Sequence, residues 1–140
     1  MDDDELRRAL AVLDSYNAQL ETLTRQVEVL QLSLQETSRA GEALKAIGTA
    51  KEGDEILVPV GAGTFIPAIV SGKKTAIVGV GSRISVEKDV SVASDFMATR
   101  GSEISEALKK SISALSEMEM AAERLTVAVQ QEYRSRQIVE

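Results

Sequence analysis

The chain is 140 residues long, carries a net charge of −6, and contains two Phe, two Tyr and no Trp, Cys or His. That length makes one domain, and the missing thiols and imidazoles exclude disulfide frameworks, Cys/His metal sites and imidazole-dependent catalytic triads. With so few rings the chain has little with which to stack bases or build an aromatic ligand pocket, and neither an enzyme nor a cofactor-binding protein is expected.

The charge is unevenly placed. Residues 1–48 hold 9 acids and 5 bases, 49–88 hold 4 and 5, and 89–140 hold 9 and 6, so the outer segments sum to −7 and the centre to +1. Acidic flanks repel a phosphate backbone, and no nucleic-acid partner is expected. No stretch is long and apolar enough to span a bilayer, and the acidic start Met1-Asp2-Asp3-Asp4-Glu5 is the opposite of a signal peptide. A soluble cytoplasmic protein without a membrane partner is the expectation.

The first element, residues 1–48, is a heptad helix. With position a at Leu6, the a residues are Leu6, Leu13, Leu20, Val27, Leu34 and Gly41, and the d residues are Ala9, Tyr16, Leu23, Leu30, Thr37 and Leu44. An apolar seam of period 3.5 held this long predicts a coiled coil, because a straight helix of 3.6 residues per turn would let the stripe drift round its surface. From Leu6 to Leu44 the helix would run about 60 Å.

Residues 49–88 change period. Four β-rich runs, Ile56–Val60, Thr64–Val70, Thr75–Val80 and Arg83–Glu87, are separated by Gly61-Ala62-Gly63, Ser71-Gly72-Lys73-Lys74 and Gly81-Ser82, all of hairpin length. Pro59 and Pro67 cannot donate to a ladder and must sit at an edge or bulge. About thirty-five residues of mostly apolar strand cannot cover both faces of their own sheet. Val58, Val60, Phe65, Ile66, Ile69, Ile77, Val78, Val80, Ile84 and Val86 therefore need a partner, and assembly through this centre into a shared sheet or barrel is expected.

The last element, residues 89–140, is again a heptad helix, with d at Met97, Ile104, Ser111, Met118 and Leu125 and a at Gly101, Leu108, Leu115, Ala122 and Val129. Gly101 and Ser111 weaken this seam, and Ile112 predicts a local shift of the buried stripe. Asp89 is the expected N-cap, with Ser94 as the alternative start. The fold class is thus α+β: a long antiparallel two-helix coiled coil with two central β-hairpins that assemble into an oligomeric β-barrel body, with both termini at one end.

Leu57-Val58-Pro59-Val60-Gly61-Ala62-Gly63-Thr64-Phe65-Ile66, then Val78-Gly79-Val80-Gly81, then Val86-Glu87-Lys88-Asp89 leading into the second helix, resemble the alpha-class family of archaeal prefoldin subunits. Four strands also fit that class, since the beta class carries a single hairpin; Ser82-Arg83 departs from the smaller residues expected after Gly81. The resemblance implies an ATP-independent chaperone that is a heterohexamer of two alpha and four beta subunits. It implies that the coiled-coil tips capture unfolded polypeptide clients and that these pass to a group II chaperonin.

The tip can be read from residues alone. Antiparallel pairing sets Leu6–Tyr16 across from about Ala122–Arg136, and Leu10, Val12, Val127, Tyr133 and Ile138 fall outside a and d. Leu6, Leu10, Leu13, Val129, Tyr133 and Ile138 are the candidate client-binding residues, because terminal turns open at little cost. The competing reading keeps Leu6, Leu13 and Val129 as seam residues only. Gly79-Val80-Gly81-Ser82-Arg83-Ile84 and Gly72-Lys73-Lys74-Thr75 lack the glycines of nucleotide-binding loops and read as turns. A coiled-coil scaffold or regulatory adaptor without client binding is the alternative function.

Overall fold

The computed structural model describes residues 1–139, in the order α1 (Asp3–Thr49), β1 (Glu55–Gly61), β2 (Thr64–Ile69), β3 (Thr75–Gly81), β4 (Ile84–Asp89) and α2 (Val90–Val139). Two long helices flank two antiparallel hairpins, as the change of period predicts. The strands make two separate two-stranded sheets, β1-β2 and β3-β4, so the described residues form no closed barrel. The chain divides into two compact units: residues 1–33 with the chain from 104 on, and residues 34–103.

In both units the heptad positions face inwards. Every a and d residue of α1 from Leu6 to Leu44, and of α2 from Met97 to Val129, is buried or half-buried. The expected shift of the stripe towards Ile112 does not occur: Ser111 is 8% exposed and Ile112 is 45% exposed. The helix holds its register because rotating Ile112 inwards would turn the flanking Leu108 and Leu115 out. Among the described residues no buried side-chain nitrogen or oxygen lacks a hydrogen-bond partner, so the small hydroxyl is tolerated in the seam. Gly101 weakens the seam as expected. A Cβ there would meet Thr37 Cγ2 at 3.9 Å, and one at Gly41 would meet Met97 Cβ at 3.8 Å, ordinary van der Waals distances, so each glycine leaves room for a methyl group, and the two line an open groove of about 380 Å³.

The two ends of α1 are closed differently. At its start Asp2 and Glu5 form a reciprocal capping box, the Glu5 amide donating to Asp2 Oδ1 at 2.8 Å and the Asp2 amide to Glu5 Oε2 at 3.0 Å. Its last turn contains no basic residue. Lys74, just before β3, fills that role: its ammonium donates to the carbonyls of Gly48, at 3.1 Å, and Ala50. A cation at the negative end of the helix dipole satisfies carbonyls that have no partner within the helix.

The hairpins are built on one plan. The Val70 amide donates to the Asp54 carbonyl at 2.9 Å, which makes 54/70 a hydrogen-bonded rung. By alternation Leu57↔Pro67 and Pro59↔Phe65 lie on rungs whose backbone groups face outwards. Both prolines therefore sit where a missing N–H breaks no bond within the hairpin, and each removes one donor from an outer edge. The Val90 amide bonds the Lys74 carbonyl at 3.1 Å, the equivalent rung of the second hairpin. Each hairpin has a one-residue irregularity, at Val60 between Pro59 and Gly61 and at Val80 between Gly79 and Gly81, a twenty-residue internal repeat.

Each hairpin then turns through two left-handed residues, Ala62 (φ 49°) and Gly63 (φ 71°) in one, Ser82 (φ 50°) and Arg83 (φ 61°) in the other. Positive φ at both centres matches the right-handed twist of the strands. Arg83 consequently belongs to the turn, and β4 starts one residue later than expected. The helix α2 begins at Val90, directly after Asp89 and ahead of Ser94. Near its start, Arg100 lies over the Phe96 ring at 4.9 Å and reaches the Gly79 carbonyl at 3.4 Å, tying β3 to α2.

Candidate functional site

Two surfaces collect the residues singled out from the sequence. The first is the hairpin pair. In β1-β2 the register puts Leu57, Pro59, Phe65, Pro67 and Ile69 on one face and Ile56, Val58, Ile66 and Ala68 on the other. Both faces are apolar apart from Glu55, opposite Ile69 at the start of β1, and Thr64 beside the turn. Leu57, Phe65 and Ile66 are more than half exposed, and Ile69 reaches 73%. In β3-β4 one face is polar, with Lys73 and Glu87 paired at 2.8 Å and the Thr75 hydroxyl donating to Glu87 at 2.9 Å. Ile77, at 78% exposed, interrupts that face.

Of the ten residues expected to seek a partner, Val58, Val60, Phe65, Ile66, Ile69, Ile77, Val80, Ile84 and Val86 are exposed, and Val78 is buried by the chain itself. Leu57, 64% exposed, belongs with the nine and was missed; its alternation with Pro59 was the available signal.

The second surface lies where the start of α1 meets the end of α2, within one unit. Leu6 and Val129 are buried in the seam, Leu10 and Leu13 are half-buried, and Tyr133 is exposed. The side chain of Ile138, like that of Val139, lies outside the described residues. Arg136 organises this end. Its guanidinium donates to Asp3 at 2.7 Å, to Glu132 at 3.1 Å and to the Met1 carbonyl at 3.2 Å, while the Met1 ammonium reaches Glu132 at 3.4 Å. Those hydrogen bonds hold the Asp3 and Glu132 carboxyls below their ordinary values and raise Arg136. Heptad reading could not find this cluster, since Glu132 and Arg136 occupy seam positions as an ion pair rather than as apolar residues.

Among the described residues no group of three or more His, Cys, Asp or Glu could hold a metal ion, and no helix is long and apolar enough to cross a membrane. An open groove of about 730 Å³ runs between the end of α1 and the start of α2, lined in part by Leu44, Lys45, Lys74, Asp89 and Asp95. Its Lys74 is already engaged with the α1 carbonyls.

The prefoldin subunit family model matches residues 16–135. The chain is 33% identical to prefoldin subunit alpha of Methanothrix thermoacetophila over 77% of this chain and 71% of that one. It is 36% identical to prefoldin subunit alpha of Pyrococcus horikoshii over 82% and 78% of the respective chains. It is 34% identical to that of Thermofilum pendens over 80% and 88%. The cryo-EM structure of filamentous prefoldin from Methanocaldococcus jannaschii shares the fold, with a TM-score of 0.54 over 92% of this chain and 98% of that one, at 24% identity.

Proposed function

Because this chain belongs to the prefoldin family of chaperone subunits, we propose that it is the alpha-class subunit of an ATP-independent holdase. It joins beta-class subunits through its hairpins, two alpha to four beta, in the cytoplasm. The helix ends where Leu6, Leu10, Leu13, Val129, Tyr133 and Ile138 gather hold unfolded polypeptides and release them to a group II chaperonin.

The observation that carries the reading is the first hairpin, apolar on both faces and uncovered by its own chain. Each aliphatic side chain taken out of water there contributes about 1.5 to 3 kcal/mol, and nothing within the subunit collects that energy. The helix ends offer the opposite case. Their apolar groups are few and half-covered, suited to weak contacts that sum over several arms rather than to a deep pocket.

The purified chain, assembled with a beta-class partner, is expected to delay aggregation of a chemically unfolded protein without nucleotide, read by light scattering. Replacing Leu10 and Tyr133 by Ser, which spares the buried Leu6 and Val129, should weaken that protection several-fold while the hexamer persists in native mass measurements. A stable assembly that never delays aggregation would instead identify a scaffold.

A further inference from the structure

Near the start of α1 and the end of α2, an open groove of about 430 Å³ runs along one side of the seam. Its floor is apolar: Tyr16 and Leu125 come from d positions, and Val12 and Ala128 from the adjoining g positions. Val12 is 41% exposed although it borders a seam that has no need of it. Arg8 and Arg124 stand on the rim, one from each helix. Both are exposed, and among the described residues neither is in an ion pair; the adjacent Arg7 is the one that Asp4 takes, at 3.9 Å.

The combination is specific in its chemistry. An apolar floor accepts aliphatic or aromatic side chains of an extended chain, whose alternate residues point the same way. Two guanidinium groups without carboxylates present forked donors that match a carboxylate in geometry and charge. The surrounding arms are acidic, so these arginines form a local exception rather than part of a basic field suited to polyphosphate.

We infer that this groove is a client subsite that selects unfolded segments in which an apolar run is flanked by Asp or Glu, Arg8 and Arg124 taking the carboxylates. The inference rests on the holdase reading and gives its client contact a chemical preference. Segments flanked by Lys or Arg meet two like charges at the rim and bind less well.

The test uses the full chain assembled with a beta-class subunit and two fluorescent peptides that share one Leu/Ile-rich core, flanked either by Asp or by Lys. Anisotropy titrations at low salt should give about a fivefold preference for the Asp-flanked peptide, the size that two exposed ion pairs support. The preference should fall towards unity at high salt, and in the double variant Arg8→Gln, Arg124→Gln, whose helicity and thermal midpoint are checked against the parent.

Equal affinity for the two peptides, a Lys preference, or an Asp preference that survives the double variant overturns the inference. So does self-association of the assembly that the double variant abolishes, since the groove then belongs to a second copy. Aggregation suppression measured in parallel separates the two levels: if it persists without charge preference, the subsite fails and the holdase reading stands, whereas loss of suppression in the parent removes both.

Discussion

Ser82 and Arg83 fill two turn positions that both demand left-handed backbone, where the equivalent turn has Ala62 and Gly63. An L-residue in that region costs about 1 to 2 kcal/mol, and glycine avoids the cost while losing more chain entropy on folding. Arg83→Gly should therefore stabilise the hairpin unit by about 0.5 to 1 kcal/mol, whereas the β-branched Arg83→Val should destabilise it. Urea unfolding of the two variants checks this, and equal midpoints would mean that the turn is unstrained. From sequence, Gly61 and Gly81 look like the turn glycines. They are instead the residues after the extra Val60 and Val80, with φ of 110° and 106°, and the turns lie one step on. The strand irregularity decides that placement, and a bulge has no signature in strict alternation.

At the scale of elements, α1 and α2 were legible because a 3.5-residue period held over many turns leaves one solution for which face is covered. What the period could not show is how the helix ends are closed. Lys74 caps α1 from 24 residues beyond Ala50, and Arg136 links the last turns of α2 to Asp3 across most of the chain. Arg136 also makes that end sensitive to pH. Asp3 and Glu132 are held below their ordinary values by its hydrogen bonds, so their stabilisation is complete above the unfolded carboxylate range, about 4. It is lost as pH falls through the lowered folded values. Hydrogen exchange of the first turns of α1, corrected for intrinsic rates, should accelerate on going from about pH 6 to about pH 3. In Arg136→Met the exchange should already be fast at the higher pH and change less on acidification. Identical protection in both proteins at both pH values would show that the ion pairs do not hold the helix ends together.

For the molecule as a whole, the two apolar faces of the first hairpin and the one polar face of the second set different tasks for the same repeat. Read as a stretch of β-branched residues, all ten candidates look equivalent, because alternation gives the face but not what lies against it. The register and burial separate them: Val78 supports its own unit, while Phe65 and Ile69 share the outer face with Leu57 and the prolines. Phe65→Asp with Ile69→Asp should therefore abolish assembly with a beta-class subunit without unfolding the subunit. Forfeiting two apolar contacts worth about 2 kcal/mol each weakens association about 1,000-fold before the cost of burying the new carboxylates. Circular dichroism should keep its helical signal, because neither residue belongs to the seam. The contrasting variant is Val78→Asp, which puts a charge at a position 4% exposed and should lower the stability of the isolated chain itself. Sedimentation of both variants with the partner, beside thermal melts of each alone, distinguishes an assembly surface from a folding core; if the Phe65/Ile69 variant still forms the hexamer, the outer face of the first hairpin is not where the subunits join.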